Sequence, residues 1–250
     1  MPNQSTDSNL MSRIHQFLYI QKRKINLTRK LDDEAKDLRE KASGREEDFS
    51  FLISLVQSYG SFSPSQVPSE ILYLMNVIHS ARPRVICEVG SFKGGSLFLL
   101  AQAAPKDALI ISVDITYPSA RKKAFKQFVK FGQRLVPLQG DTKNPETIQR
   151  IIKALRHQPI DFLFIDGDHS LAGVKNDYDR LSPLVKPGGI IAFHDIHPDR
   201  LTSTGVASQY YTGDVPYFWR NLVDTEQDYE EVVADPNQDG FGIGILRKKN

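Results

Sequence analysis

A single cysteine, Cys87, stands in a chain of 250 residues. One thiol excludes a disulfide framework within the chain and any cysteine-based metal site. Its place in the apolar run RVICEVG reads as a small buried hydrophobe. No apolar stretch approaches the roughly 20 residues needed to cross a bilayer. The first residues, MPNQSTDSNLMSRIHQ, lack the basic-then-apolar pattern of a secretion signal, so a reducing, cytoplasmic location is expected. An excess of one charge is missing too, with 32 basic residues against 30 acidic ones. That balance gives no argument for nucleic acid as a partner. The basic cluster QKRK at 21–24 reads as a solvated helix face rather than a membrane contact.

What is present falls into two parts. Residues 1–45 are expected to form an amphipathic helical extension, since no Pro or Gly interrupts the stretch from Leu10 to Ser43. Leu10, Ile14, Phe17, Leu18, Leu27, Leu31, Ala35 and Leu38 return there at roughly helical spacing. Such a face packs on the body of the protein or on a second copy, and a homo-oligomer through this helix is expected. Residues 46–250 hold enough apolar sequence for one large domain.

From Val67 onward strands and helices alternate. A helix EILYLMNVIHSA is followed by strands RVICEVG, ALIISVDI, RLVPLQGD, IDFLFIDGD and GIIAFHDI, with helical segments between them. Five strand-then-helix repeats predict a doubly wound, Rossmann-like α/β fold with helices on both faces of a parallel sheet. The near-continuous apolar strands agree, because such strands are buried on both sides. The chain closes with YEEVVAD and FGIGILRK around a turn containing Gly240, which reads as an antiparallel hairpin and brings the sheet to seven strands, mostly parallel. The stretch 197–221 between the last repeat and this hairpin is long and polar, as functional loops are.

Ligands of open parallel sheets bind beyond the carboxyl ends of the strands. Those ends carry Glu88, Asp114, Asp141, Asp166 and Asp195. One such acid is explained by capping of the following helix. Five together predict a negative cleft suited to a cationic ligand or a metal ion. The loop CEVGSFKGGS follows a strand and opens a helix, yet Phe92 occupies the position where a dinucleotide fingerprint needs its second glycine. Glu88 would also repel a phosphate, so a nicotinamide-dependent oxidoreductase is the weaker alternative. S-adenosylmethionine fits better: it is a nucleoside with a positive sulfonium and ammonium and no phosphate, and Asp114 would receive its ribose hydroxyls.

These motifs resemble the class I S-adenosylmethionine-dependent methyltransferases, within them the catechol O-methyltransferase-like and cephalosporin-hydroxylase-like small-molecule groups. The resemblance covers roughly residues 65–246. It implies an O-methyltransferase acting on a hydroxylated small molecule, a sugar or a phenolic natural product. It places Glu88, Gly90, Ser91, Phe92 and Ser96 at the methionine end of the cofactor, Asp114 at its ribose, and Asp141 and Thr142 at its adenine, with Asp166 also at the cofactor. It further implies a divalent metal held by Asp166, His194 and Asp195, and makes His169 the general base, with Asp166 and His194 beside it. His194 departs from the group, where a carboxylate is usual. Imidazole suits manganese or another transition ion better than magnesium, and His194 as a second base without metal is the other possibility.

Blander assignments compete at several positions. Asp168 reads as a cap for the helix beginning near Ser170, and Trp219 as packing for the last helix. The alternative for Trp219 is one wall of an acceptor pocket with Tyr210, Tyr211 and Phe218, under a lid formed by 197–214. His15, His79 and His157 sit in helical patterns and carry no assigned function; His197 reads as loop packing. A protein of this fold that binds S-adenosylmethionine without turnover is the remaining alternative.

Overall fold

The computed structural model describes residues 4–225 and 228–249, with side-chain detail from residue 16 onward. Leu10, Ile14 and His15 therefore have side chains outside the described set. Seven strands form one sheet: β1 (Val85–Val89), β2 (Leu109–Asp114), β3 (Arg134–Gln139), β4 (Ile160–Ile165), β5 (Val185–His194), β6 (Tyr229–Val232) and β7 (Ile243–Arg247). Their order is β3-β2-β1-β4-β5-β7-β6. The first five are parallel, while β7 runs antiparallel between β5 and β6. Pro137 lies in β3, which is an edge strand, the place where a missing N–H costs no ladder bond.

Alternation along each strand divides the core. Ile86, Ile110, Phe162, Phe164 and Ala192 face one layer, where they meet helices α1 (Gln4–Ala42), α2 (Phe49–Ser58), α3 (Pro68–Ala81), α4 (Gly95–Ala103) and α5 (Ser119–Phe125). Cys87, Ile111, Leu163, Ile165 and Phe193 face the other, against α6 (Pro145–Leu155), α7 (Leu171–Leu181) and, past a short α8 (Arg200–Thr204), α9 (Val215–Val223). Cys87 is fully buried, as expected. Trp219 is also buried, and its indole N–H donates to Glu231 Oε1 at 2.6 Å. It packs α9 on the sheet and is not part of any acceptor wall.

The long N-terminal helix is one continuous element, and its two halves differ. Leu31, Ala35, Leu38 and Ala42 are buried in the core, while Phe17, Ile20 and Leu27 are exposed. Helix α2 was not legible in the sequence, where residues 46–66 carry no clear pattern. It is capped by the Asp48 side chain, which accepts from Phe51 N at 3.2 Å.

At the point where β1 is flanked by β2 on one side and β4 on the other, the strand order reverses. This is the crevice where an open α/β sheet binds its ligands. The closeness of the strand ends there is visible at Gly90 (φ +88), where an added Cβ would overlap the backbone carbonyl of Asp166. Only glycine permits that approach.

Candidate active site

A cleft of about 930 Å³ opens at this reversal, within the roughly 300–1,000 Å³ usual for ligand sites. Gly90, Phe92, Asp114, Asp141, Thr142, Asp166, His169, His194 and Asp195 all line it. Glu88, Ser91 and Ser96 do not line it; they lie buried behind the glycine loop.

Glu88 accepts from Ser91 Oγ at 2.6 Å and from Ser96 Oγ at 2.7 Å. Ser112 joins the cluster through Ser91 and donates or accepts at Tyr117 Oη over 2.6 Å. Burial pushes the Glu88 carboxyl up to about 7; the serine donors oppose this, and the Asp166 and Asp114 charges add to it. Glu88 thus shapes the loop from behind. The loop itself carries Phe92 in a left-handed conformation (φ 42), which turns the Phe92 N–H toward Asp114 Oδ2 at 2.8 Å.

Asp114, at the end of β2, also accepts from Thr116 N through Oδ1 at 2.7 Å. Each carboxylate oxygen takes more than one donor, so a side chain held this firmly keeps free lone pairs for a diol in the cleft. Neighbouring Asp141 accepts from Lys143 N at 2.8 Å. Thr142 donates to the buried Asp177, whose carboxyl burial raises to about 6. Asp177 carries no sequence motif, and its link to Thr142 arises because α7, packed against β4, lies beside the loop that follows β3.

The second cluster sits across the cleft. His194 is buried at the end of β5, and its Nδ1 lies 3.2 Å from both Asp166 Oδ1 and Asp195 Oδ2. Burial alone would push this imidazole down, yet the Asp166 and Asp195 carboxylates outweigh it and hold its pKa well above the ordinary range. Its Nε2 has no hydrogen-bond partner among the described residues. Asp195 adopts φ 62, a conformation costly outside glycine that concentrates at functional sites. His169 Nε2 lies 3.4 Å from Asp195 Oδ2 and 3.9 Å from Asp166 Oδ1.

Asp166, His169 and Asp195 offer ligand atoms that all lie within 4.8 Å of one another. Two carboxylates with an imidazole suit a divalent transition ion. The expected set contained His194 in place of His169; in this structure His194 sits within hydrogen-bond reach of both carboxylates, and His169 completes the converging group.

Gln66 was not legible in advance, because it lies in a motif-free loop a hundred residues from its partner. Its Nε2 donates to Asp166 Oδ2 at 2.6 Å. Asp168 pairs with Lys143 at 2.6 Å, and that lysine chiefly holds its carboxyl at about 2. Ser170, not Asp168, caps α7, accepting from Gly173 N. Gln209, Tyr210, Tyr211 and Phe241 close the outer wall. Phe218 is buried away from the cleft.

Known proteins resemble this chain in sequence and in fold. Residues 87–196 match a family model described as a methyltransferase domain. The tapetum-specific methyltransferase 1 of Arabidopsis thaliana is 32% identical over 146 residues, 55% of this chain and 58% of that protein. The mycinamicin VI 2''-O-methyltransferase of Micromonospora griseorubida is 31% identical over 107 residues, 42% of this chain and 26% of that one. The match thus spans less than two thirds of either relative. Among solved structures, the O-methyltransferase TomG of Streptomyces achromogenes, in complex with S-adenosylmethionine, superposes with TM-score 0.54 at 17% identity, covering 84% of this chain and 98% of that one.

The raised Glu88 carboxyl makes stability depend on pH. Its folded pKa exceeds the unfolded value, so the folded state holds this proton more tightly, and stability falls as pH rises from about 4.5 to about 7. Glu88→Gln should remove up to about 3 kcal/mol of that decline, read as urea midpoints on either side of the window. Equal declines in both proteins would show that Glu88 titrates normally.

Fold and matched segment converge: this chain shares the fold of a solved O-methyltransferase, and its residues 87–196 match the methyltransferase-domain model.

Proposed function

We propose that the protein transfers a methyl group from S-adenosylmethionine to a hydroxyl of a small molecule. One observation supports this most: Asp114 and the cluster of Asp166, His169, His194 and Asp195 open into a single cleft. S-adenosylmethionine, when bound, supplies a methyl group activated by a positive sulfonium. The chain does the rest. Asp114 receives the ribose hydroxyls, Gly90 lets backbone approach the donor, and the row of carboxylates favours its positive charge. His169 Nε2 takes the acceptor's proton, since a hydroxyl is a poor nucleophile until that proton leaves. Holding donor and acceptor together in one orientation supplies much of the remaining acceleration. Tyr210, Tyr211 and Phe241 offer an aromatic wall, suited to a hydroxylated ring such as a sugar or a phenol.

Asp114→Ala should abolish cofactor binding in calorimetry. His169→Ala should preserve that binding while slowing methyl transfer about 10²–10⁴-fold. Undiminished affinity in the first variant, or full turnover in the second, would remove the corresponding role.

Asp166 and Asp195, with a nearby imidazole, would hold a divalent transition ion, which would acidify a hydroxyl bound to it. His169 cannot use Nε2 for both purposes, because its Nδ1 is taken by Tyr211 O at 2.8 Å. A metal-assisted reaction therefore needs His194 as the nitrogen ligand or a base other than His169. Exhaustive chelation should release about one equivalent of metal, measured by elemental analysis, and sharply reduce turnover. Full turnover by metal-free protein would mean that no cation takes part.

Residues 1–45 are read as an extension to a catalytic unit at 46–250, pairing two copies of the chain. Phe17, Ile20 and Leu27, 59%, 42% and 52% exposed, continue toward the N-terminus the same helical stripe that buries Leu31, Ala35, Leu38 and Ala42. Among the described residues no helix is long and apolar enough to cross a membrane. A cytoplasmic, reducing compartment suits the lone buried thiol. Replacing Phe17 and Leu27 together with Ser should halve the mass seen by sedimentation equilibrium, whereas an unchanged mass would place the contact elsewhere.

A further inference from the structure

Asp199 does not line the cleft, yet it is fully buried, and among the described residues its polar contacts run within one segment. Its Oδ1 accepts from Thr202 N at 2.7 Å. Its Oδ2 accepts from Thr212 N at 2.8 Å and from Thr212 Oγ1 at 3.1 Å. The Asp199 N–H reaches back to Thr212 Oγ1 at 3.2 Å. Burial works to raise this carboxyl, but the Thr212 and Thr202 donors prevail and hold it below the usual range. The loop 200–211 is thereby pinned at its base.

What the pinned end touches is His169. The Tyr211 carbonyl, next to Thr212, lies 2.8 Å from His169 Nδ1, and the two rings stack at 6.0 Å with 14° between their planes. Asp214 N donates to His169 O at 2.8 Å, and Asp214 Oδ2 accepts from Leu171 N at 3.0 Å. Gly213 (φ +58) lies so close that an added Cβ would overlap the His169 backbone oxygen. The imidazole is therefore gripped through its ring face, one ring nitrogen and its backbone.

A carbonyl only accepts, so His169 Nδ1 carries the hydrogen, and in the neutral ring Nε2 is the bare nitrogen. Nε2 faces Asp195 and Asp166 at 3.4 and 3.9 Å, longer contacts than the 2.8 Å at Nδ1, so the carbonyl keeps the hydrogen on Nδ1. The wrong tautomer would present an N–H to the acceptor hydroxyl and could not take its proton. Orientation of a base by a third group is a recurrent catalytic device.

We propose that Asp199 is a positioning residue for His169: through Thr212 it seats the Tyr211 carbonyl, which selects the Nδ1–H tautomer and turns Nε2 toward the cleft. The inference rests on the methyltransferase reading for His169 as the base. It adds that segment 197–214 makes this base competent.

Nitrogen-15 NMR of histidine-labelled, chelator-treated full-length protein reads the tautomer without any acceptor. Spectra are recorded over a pH series and read where the ring is neutral, and His169→Gln assigns the signal. Wild-type His169 should be protonated on Nδ1. Asp199→Asn and Thr212→Val should both populate the Nε2–H form, while Thr212→Ser, which keeps the hydroxyl, should retain the wild-type pattern. In assays the first two should lose about 10-fold or more in kcat, less than removal of the base outright, with the cofactor KM within about two-fold. A wild-type Nε2–H tautomer, or an unchanged signal in folded Asp199→Asn and Thr212→Val, would overturn the proposal; should Asp199→Asn not fold, Thr212→Val decides. A protein that shows the expected tautomer shifts but binds no cofactor would sink the methyltransferase reading and leave the linkage from Asp199 to His169 standing.

Discussion

Carboxylates crowded along one edge of a sheet repel one another, and the structure of this protein is organised around containing that repulsion. Parallel strands all deliver their carboxyl ends to the same rim, so acids placed there are brought together by topology. Each is then stabilised by a separate device. Glu88 is buried among serine hydroxyls, and burial raises its carboxyl to about 7. Asp114 takes two backbone N–H groups. Asp168 is paired with Lys143. Asp166 and Asp195 share the imidazole of His194. What is left is a rim that stays negative without coming apart, a setting in which a cationic donor or a divalent ion gains binding energy.

The strain in the backbone follows the same geometry. Phe92, Asp195 and Phe241 all adopt positive φ without being glycine, and all three line the cleft. Such conformations cost on the order of 1–3 kcal/mol each and persist where the surroundings over-determine them. Phe92 is turned so that its N–H reaches Asp114, and Asp195 leaves β5 at an angle that brings its carboxylate back toward Asp166 and His169. Burial of Phe193 and the pairing of β5 with β7 supply the rigid support.

How much of this was legible in the sequence follows from which signals are local. The five parallel strands announced themselves as apolar runs ending in an acid, and the sheet order then placed Asp114, Asp166, His169 and Asp195 around one cleft. Glu88, Ser91 and Ser96 were legible as a loop motif, but period and spacing do not tell a residue facing the ligand from one bracing the loop from behind. Gln66, Asp177 and Asp199 were invisible because their partners lie 13 to 100 residues away in sequence and no spacing rule connects them. Helix α2 was missed because residues 46–66 give no clear pattern, though Asp48 and the buried Phe49, Leu52, Ile53 and Val56 form a good cap and face once seen.

The claim on which the rest stands is that this negative rim receives a positively charged nucleoside that lacks phosphates. Isothermal titration of the wild-type protein with S-adenosylmethionine and, separately, with NAD puts it to the test. Saturable heat near one equivalent is expected for the first ligand and none for the second. A flat trace with S-adenosylmethionine at millimolar concentration, or saturation by NAD, would contradict it.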